Sequence, residues 1–287
     1  MSDGERVAII LAAVGCGPEA TASRAGFRRE VAGRGEVFEI EPSPGSTLVP
    51  ELWRDGLRRV PSTATVVAFS TTEMIPQSGW LDDLLVGLIG HDGVGGGIAP
   101  GDQLGPGDRA IYLQRFLPYG PGADLPDRPS GENAAYRWDR LEHREEAWRG
   151  GFWEVEIHHA LERSGATWGK SPGAILTYAG SSGLRPAIGP RIAHGRRHGA
   201  NRSAGWSFAE RWVRWMTTPA VPALLAWRAW RGLRRRGMTS RPWLAAWPSF
   251  LIVAGAWSFG EGWGVGSSLQ AVRWPIPSAR GSRVIVE

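Results

Sequence analysis

Three short runs constrain the fold more than anything else in this chain: RVAIILAAV (6–14), EVFEI (36–40) and TVVAFS (65–70). The first is continuously apolar over strand length and the others read as two more strands. Unbroken apolar runs of this length are the pattern of parallel strands covered on both faces. Between them lie PEATASRAGFRREVA and LVPELWRDGLRRV, each with apolar residues at helical spacing and charge on the other face. Parallel neighbours need such crossovers, so the order predicts a βαβαβ unit.

The following segments continue the alternation. GWLDDLLVGLIG predicts an amphipathic helix, GVGGGIAP a glycine-rich strand and GDRAIYLQRFL another helix. Gly95, Gly96 and Gly97 admit close approach of either a ligand or another backbone. GPGADLPDRPSGEN reads as a loop, the kind of segment that carries function at strand ends. FWEVEIHHALERSG has apolar residues at 152, 153, 157 and 161 and predicts a helix stopped at Gly165. AILTYAG closes the pattern as a short strand. The expected fold class is α/β, a mostly parallel sheet flanked by helices, in a domain spanning residues 1–185.

Composition narrows the partners. A net charge of +5 over 287 residues points to an anionic partner: nucleic acid, an acidic membrane face or a phosphorylated substrate. Lys170 is the only lysine, and GC-rich coding also produces such an arginine bias. The single cysteine, Cys16, excludes an internal disulfide framework and fits a reducing compartment. MSDGER runs into the first strand without a basic leader or cleavage site, so the bulk of the chain is expected in the cytoplasm.

Beyond residue 185 the composition changes. Residues 186–241 form an arginine-rich linker and amphipathic helix, with about a dozen arginines after position 190 against one acid, Glu210. Residues 242–260, PWLAAWPSFLIVAGAWSFG, carry no charge, and about 19 helical residues nearly match a hydrocarbon core of about 30 Å. A buried core helix is the alternative, since Pro248 interrupts the run. The upstream PAVPALLAWRAWRGLRRRG resembles a helix lying on an anionic leaflet, which favours a membrane-associated or transmembrane helix over 242–264. The positive-inside rule then keeps Arg228 to Arg241 and the α/β domain on the cytoplasmic side of the membrane. Residues 265–287 read as a tail, and no nucleic-acid motif is visible.

Ligands of open α/β sheets bind beyond the carboxyl ends of strands. Glu41, Glu73 and the pair Glu154 and Glu156 fall at such ends or on the flanking helix. AAVGCGPEA lacks the third glycine of a dinucleotide-binding turn, no Walker A sequence occurs, and FSTTE is not a nucleophile elbow. His158 with His159, and His194 with His198 at i and i+4, have no third ligand in view, which argues against zinc.

The order EVFEI-E-P-S, PQSGWL, GVGGGIAP, GENAAYRWDRL and GGFWEVEIHHALERSG resembles the family 2 glycosyltransferases of GT-A fold over residues 6–180. The arginine-rich segment and RPWLAAWPSFLIVAGAWSFGEGWG are similar to the membrane-associated tail of some members. The resemblance implies sugar transfer from a nucleotide-diphosphate donor to a lipid-linked or cell-envelope acceptor. It places Glu41, Thr72 and Glu73 on the nucleotide-sugar, and Gly131, Glu132, Asn133 and Arg137 on the acceptor side. It matches Glu154, with Glu156 close by, to the catalytic base; two apart on a helix, only one of them should face the cleft. His194, Arg196, Arg197 and His198 become candidate phosphate-facing groups.

The pattern departs where members carry an Asp-x-Asp cluster for a divalent metal. Here stand Ser70, Thr71, Thr72 and Glu73, and a single carboxylate is a poor Mg²⁺ or Mn²⁺ site. Three expectations stay open: a weak metal on Glu73 plus diphosphate, arginines such as Arg137 and those of HGRRHG in its place, or a degenerate domain that binds without catalysis.

Overall fold

The computed structural model describes residues 5–15, 17–44, 47–121, 125–180 and 183–267; Cys16 and nearly all of the tail lie outside them. The chain opens with β1 (Val7–Ala12), α1 (Pro18–Val31), β2 (Gly35–Ile40), α2 (Val49–Leu57) and β3 (Val66–Thr71), the βαβαβ order read from the sequence. There follow β4 (Met74–Pro76), α3 (Trp80–Gly87), β5 (Gly93–Pro100), α4 (Pro106–Arg115), β6 (Ala134–Arg137), α5 (Trp138–Glu142), α6 (Glu145–Trp148), α7 (Glu154–Glu162) and β7 (Trp168–Tyr178). The helical end comprises α8 (Leu184–Arg202), α9 (Phe208–Thr217), α10 (Val221–Arg235), α11 (Arg241–Leu244) and α12 (Trp247–Gly266).

The seven strands form one sheet in the order β2-β1-β3-β6-β5-β7-β4. It is mixed rather than mostly parallel. β1 pairs with β2 and β3, and β5 with β7, in parallel; β6 runs antiparallel to both β3 and β5, and β4 antiparallel to β7. The short strands β4 and β6 carry too few residues to show a period.

Two cores flank the sheet, and β1 shows how. Val7, Ile9 and Leu11 point to one face with Phe27 of α1 and Trp80 of α3; Ala8 and Ile10 point to the other with Leu52 and Trp53 of α2. Alternate side chains of a strand face opposite sides, so a strand buried on both faces has to be apolar throughout. On the second face Phe69 stacks on Phe152 at 4.3 Å between ring centres, which fixes the approach to α7.

The uncharged run begins its helix later than the sequence suggests. Pro248 stands in the first turn of α12, where a missing N–H costs nothing, and the short α11 precedes it as a separate element. α12 then packs directly on α8. A methyl group at Gly195 or Gly199 would overlap the carbonyl oxygens of Trp257 and Glu261, and one at Gly260 or Gly264 those of Ile192 and Arg196. Residue numbers rise together along both helices, so the pair is parallel, with two Gly-x-x-x-Gly stripes locked into each other. Phe250, Val253 and Ala254 of α12 also belong to the first core, alongside Ala110 and Leu113 of α4.

Candidate active site

The direction of β6 decides where the predicted acceptor-side residues go. Its first residue, Ala134, pairs with Phe69 near the carboxyl end of β3; its last, Arg137, pairs with Val66 at the amino end. Four residues of strand separate the two ends by about 10 Å, so the GENAAYR segment is divided between the two edges of the sheet, and of Glu132 and Arg137 only Glu132 lines the cavity described below. Gly131, Glu132 and Asn133 lie at the carboxyl edge, while Arg137 donates from Nε to the His91 carbonyl at 3.1 Å at the other edge. Arg137 is therefore removed from both its acceptor-side and its metal-replacing roles.

Asn133 is a structural clamp rather than an acceptor contact. Its amide nitrogen donates to the carbonyls of Gly97 at 2.7 Å and Ala174 at 2.9 Å, and its Oδ1 accepts from Trp80 Nε1 at 2.8 Å. These bonds bridge β5 and β7 where their register shifts between Gly96 and Gly97. The glycine at 96 serves this backbone approach, since a Cβ there would meet the Ala174 carbonyl and the Asn133 amide.

Glu154 and Glu132 meet beside this clamp. Glu154 opens α7 and accepts the Gly131 N–H. Burial pushes its carboxyl above the ordinary carboxylate range, offset in part by that N–H and by the Arg115 charge. Glu132, 4% exposed, is ion-paired with Arg115 and accepts from the Ser130 hydroxyl at 2.9 Å. Arg115 is the last residue of α4, so a helix terminus presents the guanidinium.

A cavity of about 1090 Å³ opens over these groups, slightly larger than the usual 300–1,000 Å³ of small-molecule sites. Trp53, Phe152, Trp153 and Trp257 give it apolar walls, and Arg115, Glu132, Glu154, His194, His198 and Asn201 supply polar groups. Glu154 and Glu156 of α7 both line it, contrary to the expectation that only one would: Glu156 is held by the Asn201 amide from α8, which closes the cavity as a second wall. Burial raises the Glu156 carboxyl too, against the opposing effects of Asn201 and Arg197.

Helix α8 carries the phosphate-facing candidates to different places. His194 lies beside Trp153 with the ring centres 5.0 Å apart and the planes tilted by 43°, and burial followed by the charges of Arg191 and Arg115 pulls its imidazole down to about 3, so it is neutral at pH 7. His198 lies 5.3 Å from the Trp257 ring and is likewise lowered, chiefly by burial. Arg197 lies over Trp153 at 5.6 Å. Arg196 is turned away onto Trp263 of α12 at 4.3 Å and does not line the cavity.

At the end of β3 the nucleotide-side candidates separate. Thr72 is consumed structurally: its hydroxyl accepts the N–H groups of Val14 at 3.1 Å and Gly15 at 2.9 Å, tying this turn to the loop after β1. Glu41 is exposed beyond the carboxyl end of β2 and outside the cavity lining. Glu73 sits near Tyr178 and Arg191, within electrostatic reach of both. The donor set does not fit a divalent ion, because one carboxylate facing a guanidinium is not a hard-cation site, and no cluster of three acid, histidine or cysteine ligands occurs among the described residues.

Sequence reasoning missed Arg115 and Asn201, both of which line the cavity. One signal was available: Arg191, His194, His198 and Asn201 fall at i, i+3, i+7 and i+10, a single helical stripe. The paired Gly-x-x-x-Gly spacings were also legible.

No protein-family model and no curated protein sequence matches this chain. Among solved structures, it is similar to the mannosyltransferase PcManGT from Pyrobaculum calidifontis in complex with GDP-Man and Mn²⁺, at 14% identity and a TM-score of 0.46, covering 90% of this chain and 87% of that one. It is also similar to residues 1–349 of TarS from S. aureus, at 10% identity and a TM-score of 0.41, covering 65% of this chain and 63% of that one. A second TarS structure, with UDP-GlcNAc, gives 9% identity, a TM-score of 0.35 and coverage of 60% and 58%.

Proposed function

We propose that this protein transfers a sugar from a nucleotide-diphosphate donor to a lipid-linked or cell-envelope acceptor, with Glu154 as the general base. The observation that carries it is the meeting of Glu154, Glu132 and Arg115 at the carboxyl edge of a mixed α/β sheet, under one large, mainly aromatic-walled cavity. An inverting transfer requires a carboxylate that takes the acceptor hydroxyl's proton as the oxygen attacks the anomeric carbon. A carboxyl raised by burial is matched to that task near neutral pH. The distant resemblance to family 2 glycosyltransferases stated from the sequence points to the same chemistry.

A thermal-shift screen with UDP-, GDP- and dTDP-sugars tests this, followed by a transfer or hydrolysis assay. At least one donor is expected to raise the melting temperature and to turn over; a ligand at 100 times its Kd stabilises by about 2.7 kcal/mol. No stabilisation by any donor overturns the proposal. Stabilisation without turnover favours the second reading, a degenerate domain that binds a sugar nucleotide as a scaffold, which the loss of Thr72 to a structural role supports.

The proposal includes a seat on the cytoplasmic leaflet. α9 exposes Phe208, Trp212, Trp215 and Met216 along one face and buries none of its residues. Its neighbours add Trp227 and Trp230 from α10 and Leu251, Ile252, Phe259 and Trp263 from α12. Arg228, Arg231, Arg234 and Arg235 of α10 stand beside these aromatics, the arrangement of helices lying in an anionic interface. Among the described residues one stretch, 241–266, is long and apolar enough to cross a bilayer. However, α12 is locked along α8, which carries Arg185, Arg191, Arg196, Arg197 and Arg202, and each arginine at mid-bilayer costs about 2.5–3.5 kcal/mol or more. Lying on the surface fits both helices. The protein is expected to co-float with vesicles containing phosphatidylglycerol and not with phosphatidylcholine alone, and Trp227→Ala with Trp230→Ala to weaken binding by about 10-fold or more. Binding independent of lipid charge, or none, overturns this seat.

A further inference from the structure

We propose that the wall of the cavity built by α7, α8 and Trp257 is the acceptor subsite, and that it takes a neutral sugar ring. Glu156, Asn201, His194 and His198 bind the hydroxyls of that ring, and Trp153 and Trp257 cover its C–H faces. This rests on the sugar-transfer reading above and names the substrate class at the same site.

Position comes first. All six residues line the cavity, and Glu154, the base of the proposed transfer, stands two residues before Glu156 on the same helix. Residues i and i+2 of a helix have Cα atoms about 5.4 Å apart, the breadth of a single pyranose. A hydroxyl presented to Glu154 therefore leaves the rest of its ring against Glu156 and α8.

The polar atoms on this wall are open and unmatched. Glu156 Oε1 accepts from the Asn201 amide, which orients both side chains and leaves Glu156 Oε2 and Asn201 Oδ1 with no hydrogen-bond partner among the described residues. His194 and His198 make no hydrogen bond among them either, so each neutral imidazole offers one donor and one acceptor. None of these atoms is sealed inside the protein, so a ligand in the cavity reaches them. Donors and acceptors side by side suit vicinal hydroxyls, each of which gives and takes a hydrogen bond.

The rings complete the match. Trp153 lies 5.0 Å from His194 and Trp257 lies 5.3 Å from His198, so each indole stands next to a hydrogen-bonding group. A sugar presents the same alternation, with C–H groups on its faces and hydroxyls on its rim. An anionic headgroup fits worse. The six side chains carry one carboxylate and no positive charge at pH 7.

The test is saturation-transfer NMR with the methyl glycosides of glucose, galactose, mannose and N-acetylglucosamine, beside glucose 6-phosphate, uridine and guanosine, with and without UDP and GDP. At least one methyl glycoside is expected to bind with a Kd on the order of 1–10 mM. Glu156→Gln and His198→Phe keep the size of their side chains, and each is expected to weaken that glycoside by about fivefold while donor affinity stays within about twofold. In a transfer assay the acceptor KM should rise by the same factor. A donor that binds and turns over while no glycoside binds overturns the subsite and leaves sugar transfer standing. Glycoside binding that both variants weaken, with no donor bound, keeps the subsite and removes the transferase reading. Glycoside affinity unchanged in both variants, or tighter binding of glucose 6-phosphate than of methyl glucoside, overturns the subsite. So does binding of uridine or guanosine that both variants weaken, since the wall would then hold the donor's base.

Discussion

Glu154→Gln is expected to lower kcat by about 10²- to 10⁴-fold with the donor KM within about threefold of wild type, the loss that follows when a positioned general base is removed. The glutamine keeps the side chain's size, and its Oε1 can still accept the Gly131 N–H, so α7 stays in place. The same variant has a second signature, in stability. Because burial raises the Glu154 carboxyl, the folded state binds more protons than the unfolded state between the ordinary carboxylate range and the raised value, and stability falls as pH rises through that window. Removing the charge removes that loss. Glu154→Gln should therefore melt higher than wild type at pH 7, with the two converging below pH 4. In wild type the acidic limb of kcat/KM should stand above the ordinary carboxylate range, and the variant should lack it. A kcat within threefold of wild type removes Glu154 from the reaction.

Gly199→Ala and Gly260→Ala should each destabilise the protein by about 3 kcal/mol, lowering Tm by roughly 6–12 °C. The sign discriminates. On helix propensity alone, glycine to alanine in a helix interior stabilises by about 1 kcal/mol. Here the new methyl group would overlap the carbonyl of Glu261 in one case and of Ile192 in the other, and backbone cannot rotate away as a side chain does. Gly189→Ala is the control: it lies on α8 with nothing within 4 Å of its added carbon, so it should be neutral or slightly stabilising. Because both variants force the same two helices apart, the double variant should cost less than the sum. Equal melting temperatures for all three variants would mean that the α8–α12 contact does not hold in solution.

That contact bears on the site. α8 gives one face to α12 through Gly195 and Gly199, and another to the cavity through His194, His198 and Asn201. Glu261, fully buried on α12, accepts from Arg214 of α9 at 2.6 Å and so ties the apolar helices to the same assembly. Loosening α12 should therefore disturb the cavity wall as well as stability.

Much of the framework could be read from residue order. RVAIILAAV, EVFEI and TVVAFS appear as β1, β2 and β3, the intervening segments as α1 and α2, and Gly165 ends the turn after α7 with φ of +82°. These are local patterns: side-chain period, glycine at positive φ and strand-length apolar runs. Glu154 at the head of α7 was legible for the same reason, because an acid at a helix N-terminus follows a visible turn.

What the sequence by itself determined is the opening βαβαβ framework with α3, β5, α4 and α7, the arginine-rich segment after residue 190 and the absence of an Asp-x-Asp pair after β3. What only the tertiary structure decided is who meets whom. The antiparallel run of β6 sent Arg137 to the far edge, the bulge between Gly96 and Gly97 drew Asn133 into a clamp, and the seating of α8 beside α12 and α7 turned His194, His198 and Asn201 to the cavity. The reason is physical: periodicity records which face of an element is buried, but the partner across that face is fixed by strand direction and backbone contact between residues far apart in the chain, and neither leaves a local trace.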